Sequence, residues 1–463
     1  MPQDFAIPYG YNAERGTFSC YTDNRHLCTF GPTRSGKGAS IIVQALLQVP
    51  HSVVVIDPKG QNAAVTARHR RAMGQDVFVL NPFGLHGGPP WNLPRHRYNP
   101  LSHLDIHSGN VVAEAAALSQ ALILTQGRDP YFDDTARDLV TTLILYLVST
   151  LGKRATLGHM RKMVTDIAAR GPKAAGLLVA IEASPYPFIS QPIGRFKDID
   201  ARDISSAVNT AVTQTAFLDD PALSDPARNG TLTGSDFDIA RLKQKPTTVY
   251  LILPGRFMEA YSRFLRLVIT SAIDQLTAEP GGHPVLMILD EFARLEQLPA
   301  VTNAFGFAAG YNLQLWPFLQ DIPQLQDVYR KRWMSILANS GLIQFFTPAD
   351  VDTAEYLQRR GGLTTGESRS RTYSGSVIRN ERSDTRTEAR VPLLPFERMM
   401  SLPPEESVVF FAGKHDPLLA GRAPYWTIPR LAGLFDVDPF HMAGSGGSRR
   451  EAPAAGATGA GRR

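Results

Sequence analysis

Residues 31–38 read GPTRSGKG, and that octet restricts the fold more than any other stretch of the chain. Gly31, Gly36 and Lys37 keep the G-x-x-x-x-G-K spacing of a phosphate-binding loop between a buried strand and a helix. The flanks agree, with HLCTFG before the loop and SIIVQALLQV after it. Small residues let backbone N–H groups close around phosphate oxygens, and the following helix points its positive end at them. Lys37 adds a point charge for the β and γ phosphates. The expected cradle is Gly31, Pro32, Thr33, Arg34, Ser35, Gly36, Lys37, Gly38 and Ala39. Gly38 stands where this loop usually carries Ser or Thr, so Mg²⁺ loses one hydroxyl ligand. Water replaces it, because Mg²⁺ commonly keeps several waters. Ser40 lies too far along to substitute.

Continuous β-branched runs at SVVVIDPKG (52–60) and DVFVLNPFG (76–84) read as strands covered on both faces. The pattern resumes at TTVYLIL (247–253), PVLMILDEF (284–292), LQLWPFLQ (313–320), GLIQFFTP (341–348) and, as the last strand, SVVFFAG (407–413). This order predicts an α/β fold with a mostly parallel sheet. Between the two halves, residues 108–225 carry helical spacing and no convincing strand. The expected organisation is a nucleotide-binding domain in two parts, 1–107 and 236–442, around an inserted all-α domain at 108–235, with a disordered tail at 443–463. TFSCYTD and HLCTFG read as two strands around the dipeptide NR. The polar, Arg-rich residues 364–390 read as a long exposed loop or hairpin.

Net charge is +5, of which the arginine-rich tail supplies +3, so charge alone says little about nucleic acid. Cys20 and Cys28 are too few for a disulfide scaffold and read as a reduced pair. The opening residues lack the apolar core of a signal peptide. The longest apolar run, 139–152, is shorter than the ~20 residues of a membrane span. A cytoplasmic chain without a transmembrane segment is expected.

VLMILDEF supplies the acidic partner that a phosphate loop needs. Asp290, at a strand tip, can hold the water shell of Mg²⁺, and Glu291 is placed to polarise an attacking water. An acidic helix cap is the plainer alternative. Asp57 and Lys59 end another strand and either line the pocket or a subunit contact, or form a plain turn. Gln320, at the tip of LQLWPFLQ, is placed to sense the γ phosphate.

Taken in order, GPTRSGKG, SVVVIDPKG, the helical insertion with YFDDTARDLVTTLILYLV, LDEFARLEQLP, AGYNLQLWPFLQDIPQL, LANSGLIQFF and APYW resemble the TraG/TraD family of type IV secretion coupling proteins over roughly residues 25–432. In that family a Gly after the loop lysine is frequent. The resemblance implies a RecA-like P-loop ATPase with an inserted all-α domain, assembled as a homo-hexamer with ATP and Mg²⁺ between subunits. It implies that Lys37 binds phosphate, Asp290 holds metal, Glu291 activates water and Gln320 reads nucleotide state. The implied partners are DNA without sequence preference, a relaxase or secreted protein cargo, and the secretion channel. Typical members carry an N-terminal transmembrane segment; for a chain that reaches its loop by residue 31 the expectation is either a cytosolic protein or one recruited to the inner face of the cell membrane by a separate membrane protein. Some relatives place a basic trans-acting residue before the Gln320 strand. GFAAGYNLQ has none, which leaves Arg294, Arg330 and Arg332 as candidates or as solvated surface arginines.

Residues 367–390 hold six Arg against four acids with Ser, Thr and Tyr between, a composition suited to phosphate contacts without sequence reading or to a solvated hairpin. Two other functional classes remain: a docking receptor for protein cargo with little motor activity, and a chromosome or viral-genome pump.

Overall fold

The computed structural model describes residues 6–125, 130–197, 202–374 and 381–441, with the backbone alone for 366–374 and 381–389. The tail expected to be disordered, 443–463, lies outside the described residues. Thirteen strands are described: β1 Ile7–Asn12, β2 Thr17–Tyr21, β3 His26–Phe30, β4 Ser52–Asp57, β5 Asp76–Leu80, β6 Thr247–Ile252, β7 Val285–Leu289, β8 Leu313–Leu319, β9 Ser340–Phe345, β10 Leu363–Ser374, β11 Glu381–Pro392, β12 Glu406–Phe411 and β13 Leu418–Gly421.

Nine of them form one sheet in the order β13-β12-β9-β3-β8-β7-β4-β6-β5. From β9 to β5 every pairing is parallel, and among the described strands of this sheet only β12 is reversed, pairing antiparallel with both β9 and β13. The fold is that of a RecA-like P-loop protein, α/β with a mostly parallel sheet. The buried strands alternate their side chains between two covers. Val53, Val55, Tyr250, Ile288 and Phe318 pack under Ile41, Leu46, Ala63 and Ala67 on one face. Val54, Ile56, Leu251, Met287 and Leu315 pack under Phe264, Val268 and Leu143 on the other. Each such side chain removed from water contributes roughly 1.5–3 kcal/mol, which is why these strands tolerate apolar residues on both sides.

The chain leaves the sheet after β5 and returns at β6. Between them lie helices that include Val111–Leu122, Tyr131–Leu151, Leu157–Ala169, Pro172–Glu182 and Arg202–Gln214, with no strand among the described residues of this stretch. Their apolar faces join the same core as helix Met258–Leu276, which lies on the sheet. The apolar run at 139–152 falls inside helix Tyr131–Leu151. Among the described residues no helix is long and apolar enough to cross a membrane.

Two local expectations change, and one choice left open is decided. β2 does not pair with β3; it pairs with β1, in a separate two-stranded sheet. Cys20 and Cys28 therefore sit in different sheets, both as free thiols. SVVFFAG is not the last strand, because β13 follows and pairs with it. Residues 364–390 take the hairpin option: β10 and β11 pair from Leu363↔Pro392 to Ser374↔Glu381 and join no other sheet.

Candidate nucleotide site

Parallel strands put their carboxyl ends on one edge, and the strand order decides which ends are neighbours. β3 and β8 are adjacent, with Phe30 opposite Leu319, and β8 and β7 are adjacent, with Leu289 opposite Pro317. β4 follows on the far side of β7. The loop after β3, Gln320 after β8, Asp290 and Glu291 after β7, and Asp57 and Lys59 after β4 thus share one edge. The Gly31 N–H donates to Leu319 O at 3.0 Å, which ties the loop to the tip of β8.

The loop backbone turns through two left-handed residues, Arg34 at φ 62° and Gly36 at φ 88°. Glycine takes that conformation freely, and a non-glycine residue takes it at a cost of order 1–3 kcal/mol. A Cβ on Gly31 would lie 2.8 Å from both Phe346 Cδ2 and Ser35 Oγ, so only glycine fits over that ring. A Cβ on Gly38 would meet nothing within 4 Å. The chain then enters a π-helical turn, Gly38–Ile42, that continues as helix Val43–Gln48. Ser40 is committed elsewhere: its Oγ donates to Gly36 O at 2.8 Å and accepts from Arg422 Nη1 at 3.3 Å.

Lys37 folds back over the loop, its Nζ donating to the carbonyls of Gly31 and Pro32. Burial holds its ammonium below the usual lysine range. The charges of Asp290, Glu291 and Asp321 pull it upward, and Lys59 opposes them. One electrostatic neighbourhood therefore includes groups from four strand ends. The Asp290 carboxyl is pushed up to about 6 by burial and by Glu291 beside it, against the pull of Lys37 and Lys59. Asp290 Oδ1 accepts the Glu291 N–H at 3.0 Å. Glu291 itself is left-handed at φ 52°, a strained backbone for a non-glycine residue. No side chain caps the turn that follows, so Asp290 and Glu291 are not the acidic cap weighed from sequence. Gln320 is held through its backbone, which donates to Gln324 Oε1 at 2.9 Å.

Asp57 is buried and caps helix Gln61–Ala72 from within, accepting the Ala63 N–H at 2.9 Å. Burial and, to a smaller degree, Asp290 push its carboxyl up to about 7. The structure thus makes Asp57 a buried cap for the helix that follows β4, while Lys59 stays exposed. Arg294, Arg330 and Arg332 are all exposed.

Sequence reasoning missed Arg422, Phe346 and Asp321. Arg422 is 7% exposed. Its Nη1 donates to Ser35 O at 3.1 Å, its Nε donates to Glu406 O at 3.1 Å, and its guanidinium lies 3.5 Å over the Phe346 ring. Asp321 caps helix Ile322–Tyr329 by accepting the Gln324 N–H at 2.7 Å. The dipeptide before IPQ carried a readable cap signal for Asp321; nothing local marked Arg422.

The chain is similar to known proteins over most of its length. The chain is 26% identical to VirD4 of Agrobacterium fabrum over 441 residues, covering 91% of this chain and 62% of that protein. It is 26% identical to the conjugal transfer protein TraG of the same organism over 432 residues, covering 91% and 63%. It thus spans about three fifths of the length of these relatives. Against TraG of Escherichia coli identity is 26% over 461 residues, covering 90% and 70%. The bacterial conjugative coupling protein TrwB, in an unbound form, superposes with a TM-score of 0.62 at 17% identity, over 87% of this chain and 85% of that one. TrwB in complex with ADP and Mg²⁺ gives 0.60 at 16%, over 87% and 86%. The model of the type IV secretory system conjugative DNA transfer family matches residues 7–441, and the chain belongs to that family.

Proposed function

We propose that this chain is the nucleotide-driven engine of a coupling protein, binding and hydrolysing ATP to pass DNA with its relaxase, or a protein cargo, to a type IV secretion channel. The observation that supports it most is the shared field of Lys37, Asp290 and Glu291 across adjacent strand ends. Lys37 exchanges the carbonyls of Gly31 and Pro32 for phosphate oxygens, and the N–H groups of residues 34–38 close around them. The donor set also fits Mg²⁺: burial and the neighbouring Glu291 raise the proton affinity of Asp290, which a cation would relieve, and the space beside Gly38 is open to water. When bound, Mg²⁺ supplies charge neutralisation on the phosphates, with Asp290 as its protein anchor. Glu291 takes the proton of the attacking water, and Gln320 orients that water. The helices of 108–235 act as a cargo-facing unit on the sheet domain. A ring of six such chains would let an exposed arginine, Arg294, Arg330 or Arg332, reach a neighbour's phosphates, with DNA along the β10–β11 ribbon.

Glu291→Gln is the decisive variant. It should keep nucleotide affinity and lose ATP turnover by ~10²-fold or more, with loss of any stimulation by DNA and of transfer in cells. Transfer that persists in Glu291→Gln would overturn the motor and leave a docking receptor.

A further inference from the structure

Away from the nucleotide edge, a cleft of about 920 Å³ opens where the segment entering the helical insertion meets helix Met258–Leu276. Its wall carries His103, Glu114 on helix Val111–Leu122, and Asp274 on helix Met258–Leu276. One nitrogen or oxygen from each of the three lies within 4.8 Å of the others. We propose that these three side chains form a binding site for a zinc-class divalent cation.

The imidazole is set up for this from behind. His103 Nδ1 lies 3.4 Å from Ser271 Oγ. Ser271 Oγ is 2.7 Å from the Tyr98 hydroxyl, and Gln275 Nε2 donates to both oxygens at 3.0 and 2.8 Å. Tyr98 and Ser271 are buried. The relay is complete when Nδ1–H donates to Ser271 and Ser271 passes its own proton toward Tyr98. That tautomer leaves a lone pair on Nε2. Nε2 is buried and has no hydrogen-bond partner; Asp274 Oδ2 stands 3.5 Å away, close for a charge and long for a hydrogen bond. A histidine that donates one nitrogen to a buried acceptor and presents the other to two carboxylates has the outer-shell geometry of a metal ligand.

The surrounding charge agrees. The wall holds four carboxyls, Glu114, Asp236, Asp238 and Asp274, against one ammonium, Lys153; of these, Asp236 is already paired with Arg97. One imidazole with two carboxylates favours a first-row ion such as Zn²⁺ over Mg²⁺, which prefers oxygen and water alone. Three protein ligands leave a position for water from the cleft. The ion would clip the entry of the helical insertion to a helix packed on the sheet, independently of the nucleotide reading.

The test is titration of the untagged, nucleotide-free full chain with Zn²⁺ in excess Mg²⁺, with circular dichroism to confirm folding of each variant. One Zn²⁺ per chain is expected. Glu114→Gln, at a half-buried position that should not disturb folding, should weaken binding tenfold or more. Ser271→Ala should weaken it ~10-fold through the freed imidazole, and Asp290→Asn should leave it unchanged. No stoichiometric binding, displacement by Mg²⁺ alone, or the parent's affinity retained in Glu114→Gln or in His103→Gln would each overturn the site.

Discussion

Replacing Asp57 by Asn should stabilise the protein, and the gain should grow between pH 5 and pH 8. Asp57 is 1% exposed, and its carboxyl is pushed up to about 7 from an ordinary 3.8. The folded chain therefore holds this proton more tightly than the unfolded chain. Its contribution to stability is fully present below about pH 4 and is lost as pH rises through 7. At 1.36 kcal/mol per pH unit, the stability lost relative to low pH is about 2 kcal/mol at pH 5, where only the unfolded chain has ionised, and about 4 kcal/mol at pH 8, above the folded-state value. Asn keeps an oxygen for the Ala63 N–H and never ionises. Denaturant midpoints of Asp57→Asn and the parent, read from intrinsic tryptophan fluorescence at both pH values, should therefore diverge by about 2 kcal/mol more at pH 8 than at pH 5. Because Asp290 contributes to the shift, the divergence should shrink in an Asp290→Asn background. A gain independent of pH, or a loss at pH 8, would refute a neutral buried cap.

Two further outcomes follow from the loop's surroundings. Gly31→Ala drives a methyl against Phe346 and should cost about 1–3 kcal/mol together with nucleotide affinity; Phe346→Leu should restore part of both, measured by thermal shift and nucleotide titration. Arg422→Gln removes the charged donor to Ser35 O and Ser40 Oγ and should cost about 2–3 kcal/mol. If Arg422 positions the loop, the same change raises the KM for ATP more than it lowers kcat, and Arg422→Lys, lacking the planar fork, recovers stability without recovering KM.

The strands that carry the site were legible because burial on both faces writes an unbroken apolar run, as in SVVVID and VLMIL. Their tips were legible because Gly31, Asp290 and Gln320 each break such a run at a carboxyl end. β1 escaped notice since IPYGYN mixes proline and glycine into its strand, and β13 because LLAG is four residues long. β2 was assigned to the wrong neighbour because sequence adjacency suggested a hairpin, whereas the partner lies on the other side of a turn at residues 13–16. Arg422 was invisible for a different reason. Its bond to Ser35 spans 387 residues, and an arginine in AGRAPYW has no local pattern to announce that a phosphate loop will lie beneath it.

The position of β3 sets the timetable on which this protein can be made. β3 carries the loop, yet both its neighbours in the sheet, β8 and β9, are translated some three hundred residues after it. At ~5–20 residues per second the ribosome needs roughly a quarter of a minute to a minute to deliver them. Throughout that interval HLCTF, buried at every residue in the finished protein, has no strand to pair with, and its apolar surface is a ready target for chaperones or for a neighbouring nascent chain.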